Sequence, residues 1–217
     1  MKRLVIVCEG PTEQEFVRNV LQPHFLLKDI YTQTPLIKKS GGGIVPWTVL
    51  KGQIENHIRE GNSFVTTLID YYGIPDRFNY PGWYESKTIV EKSQKMDFLE
   101  QKMLADVDSA LSHRFIPYIQ LHEFEGLLFN NIQSFEHTFE AKEFKNKNEL
   151  ESILNQYDNP ELINDNPTTV PSKRLIKLIE GYNKIVYGSI LAENIGINNI
   201  RQKSPRFNNW IKKIEGL

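Results

Sequence analysis

The run Arg3-Leu4-Val5-Ile6-Val7-Cys8 stops at Glu9-Gly10-Pro11, and this junction limits the fold more than any other stretch. A short apolar run without polar alternation, rich in β-branched residues, is the pattern of a strand buried on both faces. Such strands belong to parallel sheets covered by helices. Gly and Pro then punctuate the chain. Thr12, three residues before Glu15, makes a capping box that opens a helix. Phe16, Val17, Val20 and Leu21 supply its apolar stripe, and Pro23 is expected to kink or end it.

The alternation continues. A second strand is expected near Thr34–Lys38, followed by Gly41-Gly42-Gly43. The next helix spans roughly Trp47–Glu60, with Leu50, Ile54 and Ile58 on one face and Gly61 as its stop. Phe64–Ile69 is a third β-rich run, ending in Asp70. Strand–helix–strand–helix–strand in this order implies right-handed crossovers and a parallel sheet.

Residues 71–86 form an aromatic, proline-punctuated insertion that includes Tyr71, Tyr72, Phe78, Tyr80, Trp83 and Tyr84. A long polar helix over about Ser86–Leu111, a fourth strand over Phe115–Leu121 and a helix from Glu123 follow. Beyond Phe135 the pattern is mainly helical, with polar loops near Asn164–Pro171 and Asn194–Asn199. The expected organisation is an α/β core over residues 1–130, a mostly parallel sheet flanked by helices. A mainly helical, basic extension over 131–217 packs on it.

At 217 residues, with 40 % hydrophobic and 24 % charged, the chain can bury a proper core and is unlike a disordered one. The single cysteine, Cys8, excludes an intramolecular disulfide framework. Inside a strand it reads as a small core residue rather than a nucleophile. No apolar run approaches the ~18–20 residues of a membrane span. The N-terminal apolar stretch is too short for a signal peptide, so a cytoplasmic location is expected. The net charge of −1 is unevenly spread: from Pro171 onward there are nine Lys/Arg and three acids. A basic tail beside an acidic body suits a polyanion held near a metal-binding cleft. The competing reading, equally weighted, is that these cations solvate terminal helices.

Acids at strand ends are the main chemical clue, because open α/β sheets bind ligands beyond the carboxyl ends of their strands. Glu9 and Asp70 each directly follow an apolar run, and Glu123 and Glu125 lie just past the fourth. Taken singly, each reads as a solvated loop residue or a helix cap. Converging on one edge, they repel one another unless a cation neutralises them. Oxygen ligands without nearby Cys or His favour Mg²⁺ or Mn²⁺ over zinc. Glu13 can join the site or serve the helix dipole, and Asp76 beside Pro75 reads as a turn residue.

Gly41–Gly43 precedes a helix start but lacks P-loop spacing, so it reads as a flexible turn before it reads as a phosphate cradle. The five histidines show no zinc spacing, and no Gly-x-Ser-x-Gly elbow occurs. Lys173 and Arg174 follow Pro171-Ser172 at a helix start, where surface cations are the ordinary reading. The aromatic insertion suits base stacking, a satellite core or a partner contact equally.

Cys8-Glu9-Gly10-Pro11-Thr12-Glu13 resembles the opening motif of TOPRIM domains, especially those of the overcoming-lysogenisation-defect nucleases. More broadly, the chain resembles a bacterial TOPRIM-like family of about this length. The stretches that carry this are Ile69-Asp70-Tyr71-Tyr72-Gly73, Gln120 to Phe129, Pro171-Ser172-Lys173-Arg174 and Pro205-Arg206-Phe207. Such proteins are similar to those encoded beside ABC-type ATPases in bacterial defence loci, which implies a nuclease working with an ATPase. By this resemblance Glu9 matches the TOPRIM glutamate and Asp70 the first aspartate of its Asp-x-Asp motif. Lys173 matches the basic residue of the nuclease version. Position 72 departs from the pattern, being Tyr72 instead of aspartate, and this shifts the burden to Glu123 or Glu125.

The resulting expectation is Mg²⁺- or Mn²⁺-assisted hydrolysis of phosphodiester bonds in DNA or RNA. Glu9, Asp70 and Glu125 hold the ion, Glu13 or Glu123 holds a second ion or acts as base, and Lys173 stabilises charge. Two other readings stay open: a non-catalytic subunit that binds or regulates an ATPase, and a small-molecule phosphohydrolase.

Overall fold

The strand β1 (Lys2–Cys8) alternates its side chains between two apolar clusters, so both of its faces are buried. Leu4, Ile6 and Cys8 enter one cluster with Phe16, Phe25, Phe124 and Trp210. Val5 and Val7 enter the other with Leu50, Ile54, Ile69, Trp83 and Met96. Each fully buried side chain of this kind contributes roughly 1.5–3 kcal/mol, which is why the run lacks polar alternation. The chain is described by a computed structural model over residues 2–38, 43–163 and 169–217.

Five parallel strands form the sheet. Its order is β2 (Ile30–Gln33), β1, β3 (Phe64–Asp70), β4 (Phe115–Ile116), with β5 (Ile119–Gln120) also pairing β3. The helices α1 (Pro11–Phe16) and α2 (Gln22–Leu26) pack on one face, and α3 (Trp47–Arg59) and α5 (Lys92–Asp106) on the other. The α/β class and the parallel sheet are therefore as expected. No helix among the described residues is long and apolar enough to cross a membrane.

Several boundaries differ from expectation, each for a physical reason. The second strand lies at Ile30–Gln33 instead of Thr34–Lys38, because Pro35 has no N–H to give the ladder. Only the isolated bridge Cys8–Leu36 continues the pairing. The fourth strand breaks at Pro117 into β4 and β5. Threonines of β3 patch the break: the Thr67 hydroxyl donates to the Tyr118 carbonyl at 2.8 Å and accepts the Tyr118 N–H at 3.1 Å.

Pro23 does not end the first helix, which continues to Leu26. A wide π turn, Val17–Leu21, precedes it, with the Gln22 N–H donating to the Val17 carbonyl. This turn accommodates the missing donor of proline. The capping box is not Thr12–Glu15. Pro11 takes the first helical position, where no N–H is needed, and Glu13 reaches back to the Gly10 N–H at 2.9 Å.

The long helix expected over Ser86–Leu111 is shorter at both ends and spans Lys92–Asp106. The short α4 (Trp83–Ser86) is followed by α5, because the Glu91 carboxylate accepts the N–H groups of Ser93 and Gln94 and starts a new helix. Past residue 131 the regular elements are helical: α6 (Ile132–Thr138), α7 (Lys147–Gln156), α8 (Pro171–Leu178), α9 (Lys184–Ile195), α10 (Ile197–Lys203) and α11 (Pro205–Glu215). Their apolar faces join the cluster of β1 and α1 through residues such as Phe135, Leu191 and Phe207. The loop expected over Asn194–Asn199 is a tight turn at Gly196, whose φ of 76° suits glycine. Residues 164–168 of the other expected loop, and Gly41 and Gly42, lie outside the described residues.

Several cations of the basic tail are paired with groups of the fold, although Lys177 stays exposed. Arg201 pairs with Glu215 at 2.8 Å, Lys177 with Glu149 at 2.7 Å, and Lys203 donates to the Asn130 carbonyl at 2.6 Å. Arg206 joins α11 to α5 through Asp97 and through Glu100 at 2.5 Å, while Glu161 accepts the Arg206 and Phe207 N–H groups at 2.9 and 3.0 Å. The Pro205-Arg206-Phe207 stretch thus fastens α11 to the rest of the core.

Candidate active site

Register puts two acids side by side. Cys8 pairs with Leu68 between parallel strands, so Glu9 and Asp70 leave the sheet at the same carboxyl edge. The Glu9 N–H donates to the Leu68 carbonyl at 3.1 Å, and the Asp70 N–H donates to Glu9 Oε2 at 3.1 Å. The Asp70 carboxylate in turn accepts the backbone N–H of Gly73. A side chain at Gly73 would place its Cβ 3.1 Å from both Asp70 Oδ1 and Glu9 Oε1. The turn after β3 therefore needs glycine for its close approach to two carboxylates.

Two more acids come from helical turns. Glu13 folds back over the start of α1. Glu125 sits in the first turn of a 3₁₀ helix, Phe124–Leu128, where a helix from Glu123 was expected. Glu123 is the residue before that turn, and its Oε2 accepts the Ser172 N–H at 3.0 Å, anchoring the start of α8. Glu125 is 2 % exposed, and its Oε1 has no hydrogen-bond partner. Such an atom costs roughly 1–3 kcal/mol unless something else satisfies it.

A cleft of about 260 Å³ is lined by Glu9, Glu13, Asp70, Glu123 and Glu125, together with Lys184. Burial and mutual repulsion shift the protonation of four of these carboxylates. Burial and the neighbouring Asp70 charge push Glu9 well above the ordinary carboxylate range. Asp70 is also raised, by burial and by the charge of Glu123. Burial, with Asp70 adding repulsion, raises Glu13 to about 7, and burial with the Glu123 charge raises Glu125 to about 8. Lys184 acts against these shifts on Glu9, Glu13, Asp70 and Glu125.

Lys184 opens α9, where the Asn183 side chain caps the N–H groups of Ile185 and Val186 at 3.0 and 3.2 Å. The positive end of that helix thus lies at the cleft. Sequence reading had passed over this residue. Its signal was the Asn-Lys start of a helix, but its placement depends on α9 packing against α1, far away in the chain. Lys173, by contrast, stands in the first turn of α8, next to the Ser172 whose N–H binds Glu123, and is not among the residues lining the cleft. Cys8 is buried with its thiol pushed well up by burial, which suits a core residue.

The donors are hard oxygens, and an orphaned carboxylate oxygen lies among repelling acids, so a small divalent cation is chemically matched to the cleft. Among the described residues, no group of three His, Cys, Asp or Glu side chains is already arranged to hold a metal ion. A larger cavity of about 320 Å³ lies elsewhere, around Asn130, Asn131, Asn155 and Lys203. It has amides and a single carboxylate, Glu151, instead of converging acids.

The family model described as "Domain of unknown function (DUF4276)" matches residues 8–215. No curated protein is significantly similar to the chain. Among solved structures, the C-terminal region of the Burkholderia pseudomallei OLD protein aligns with a TM-score of 0.47 at 16 % identity. The alignment covers 100 % of this chain and 98 % of that one.

Proposed function

Because the chain belongs to the DUF4276 family, whose description assigns no activity, we propose its function from the cleft: metal-dependent hydrolysis of phosphodiester bonds in nucleic acid. The observation that carries this reading is the buried, unpartnered Glu125 oxygen beside the Glu9–Asp70 pair. Glu9, Asp70 and Glu125 would hold Mg²⁺ or Mn²⁺. Without a cation their charges push them apart, so they are expected to close in when that charge is neutralised. When bound, such an ion lowers the pKa of water and polarises a phosphoryl oxygen.

The protein's own groups supply the rest. Lys184 and the α9 N-terminus offer positive charge for the phosphate that the acids alone would repel. Glu13, raised to about 7, is matched to accepting a proton near neutral pH. Glu123 holds α8 against the cleft and thereby keeps Lys173 nearby, where the TOPRIM resemblance assigns it charge stabilisation. The same resemblance makes an ABC-type ATPase the partner and the role that of a defence effector.

The test is incubation of purified protein with single- and double-stranded oligonucleotides, with and without Mn²⁺ or Mg²⁺. Cleavage is expected only with the ion and is expected to vanish in Asp70→Asn. Ion-independent cleavage, or cleavage that survives in Asp70→Asn, would contradict the reading.

A further inference from the structure

The aromatic insertion divides into buried and exposed rings. Tyr80 and Trp83 are buried in the core and Tyr71 packs against it, whereas Tyr72 is 52 % exposed. The Tyr72 ring is nonetheless fixed. One face stacks on the buried His122 ring at a centroid distance of 4.8 Å and an interplanar angle of 8°. Tyr71 lies nearly perpendicular to it, with centroids 5.1 Å apart and an interplanar angle of 79°. With 52 % of the residue exposed, the ring keeps surface open to solvent beyond these two contacts.

Its location is set as firmly as its orientation. Tyr72 lies in the turn that the Gly73 N–H closes onto the Asp70 carboxylate, and His122 directly precedes Glu123, so both members of the stack adjoin residues that line the cleft. Tyr84 is also exposed, but the Lys87 ammonium lies over its ring at 5.2 Å and it adjoins none of the cleft acids.

We propose that the outward face of Tyr72 is a stacking platform for one nucleobase of an unpaired strand whose phosphate enters the adjoining cleft. This rests on the reading of the cleft as a phosphodiesterase site and narrows its substrate to single-stranded or unpaired nucleic acid. A flat aromatic face accepts any base through its π-surface, but only a base that has left its own stack. In a duplex each base already lies between neighbours. The platform therefore selects for strand state and is indifferent to sequence.

The test uses a labelled single-stranded oligonucleotide, the same backbone made wholly abasic, and a duplex of the same sequence. Binding is read by anisotropy in EDTA, and cleavage separately in Mn²⁺. The unaltered protein is expected to bind the base-bearing single strand about tenfold more tightly than the abasic strand or the duplex. Tyr72→Leu should lose that preference and Tyr72→Phe should keep it. Equal binding of base-bearing and abasic strands, or no binding of either, overturns the proposal without any variant having to fold. Preference retained in Tyr72→Leu also overturns it. Base preference without cleavage in Mn²⁺ supports the platform and overturns the hydrolytic reading. Cleavage without base preference does the reverse.

Discussion

The backbone N–H of Asp70 donates to Glu9 Oε2 at 3.1 Å, so the first acid of the cleft is held by the strand that carries the second. Two carboxylates that would separate in water are thereby kept adjacent. Gly73 closes the arrangement from behind, where a Cβ would stand 3.1 Å from an oxygen of each. Gly73→Ala is therefore expected to displace both acids by a few tenths of an ångström. Mn²⁺ affinity should fall by about tenfold, while stability changes by no more than about 1 kcal/mol. Calorimetric titration beside a thermal melt separates the two effects. An unchanged affinity would show that the pair tolerates the extra atom.

Protonation gives a second prediction. In the cation-free protein, burial and the Glu123 charge raise Glu125 from 4.5 to about 8. The folded state then keeps a proton that the unfolded chain releases. The stability that Glu125 contributes is therefore fullest below about pH 4.5, declines as pH rises, and levels off above about pH 8. Glu125→Gln cannot ionise and should flatten this decline, by roughly 3–4 kcal/mol between about pH 5 and about pH 8. Chemical denaturation across that range, in EDTA, measures it. Equal slopes for the two proteins would place the Glu125 carboxylate in a less costly environment.

The two late glutamates are expected to separate by role. Glu125 lies buried with an oxygen unsatisfied, whereas Glu123 accepts the Ser172 N–H at 3.0 Å. Glu125→Gln should abolish metal-dependent cleavage. Glu123→Gln should only reduce it, with a stability loss of about 1 kcal/mol from the weakened anchor of α8. Single-turnover rates at saturating Mn²⁺ decide between them, and a dead Glu123→Gln beside an active Glu125→Gln would reverse the assignment.

The two lysines are also distinguishable. Lys184 lines the cleft, and Lys173 does not. Lys184→Met is expected to lower the cleavage rate by about 10²-fold, the scale for losing one transition-state charge contact, while Lys173→Met lowers it less. The opposite ranking would favour the role that the TOPRIM resemblance gives Lys173.

The parts of this site that were legible in the sequence are those written locally. Glu9 and Asp70 stand where buried runs meet Gly or turn residues, so their position at the sheet edge followed from strand length alone. Lys184 was hidden because nothing near it reveals that α9 returns to the N-terminus of α1. The strand at Ile30–Gln33 was missed because it is an edge strand of four residues, half of them exposed, with too little apolar pattern to stand out. Pro35 and Pro117 were legible signals against the longer strands drawn through them, and tertiary patches such as the Thr67 hydroxyl explain how the sheet survives the interruption. The basic tail was ambiguous for another reason. Counting charge left a polyanion contact and solvated helix faces equally open, whereas Arg201 and Arg206 are largely hidden ties to acids of the fold and Lys177 is an exposed cation beside Glu149. Nothing in a charge count distinguishes a surface cation from an internal tie.

Titration of Mn²⁺ into the cation-free protein, followed by calorimetry, tests the central claim most directly. The account predicts saturable binding at millimolar or lower concentration, lost in Glu9→Ala and Asp70→Ala variants that remain folded by circular dichroism. It also predicts proton release on binding near neutral pH, because Glu13 and Glu125, raised to about 7 and about 8, must give up their protons as the charge is neutralised. No binding in the unaltered protein, or binding that persists undiminished in both alanine variants, would contradict it.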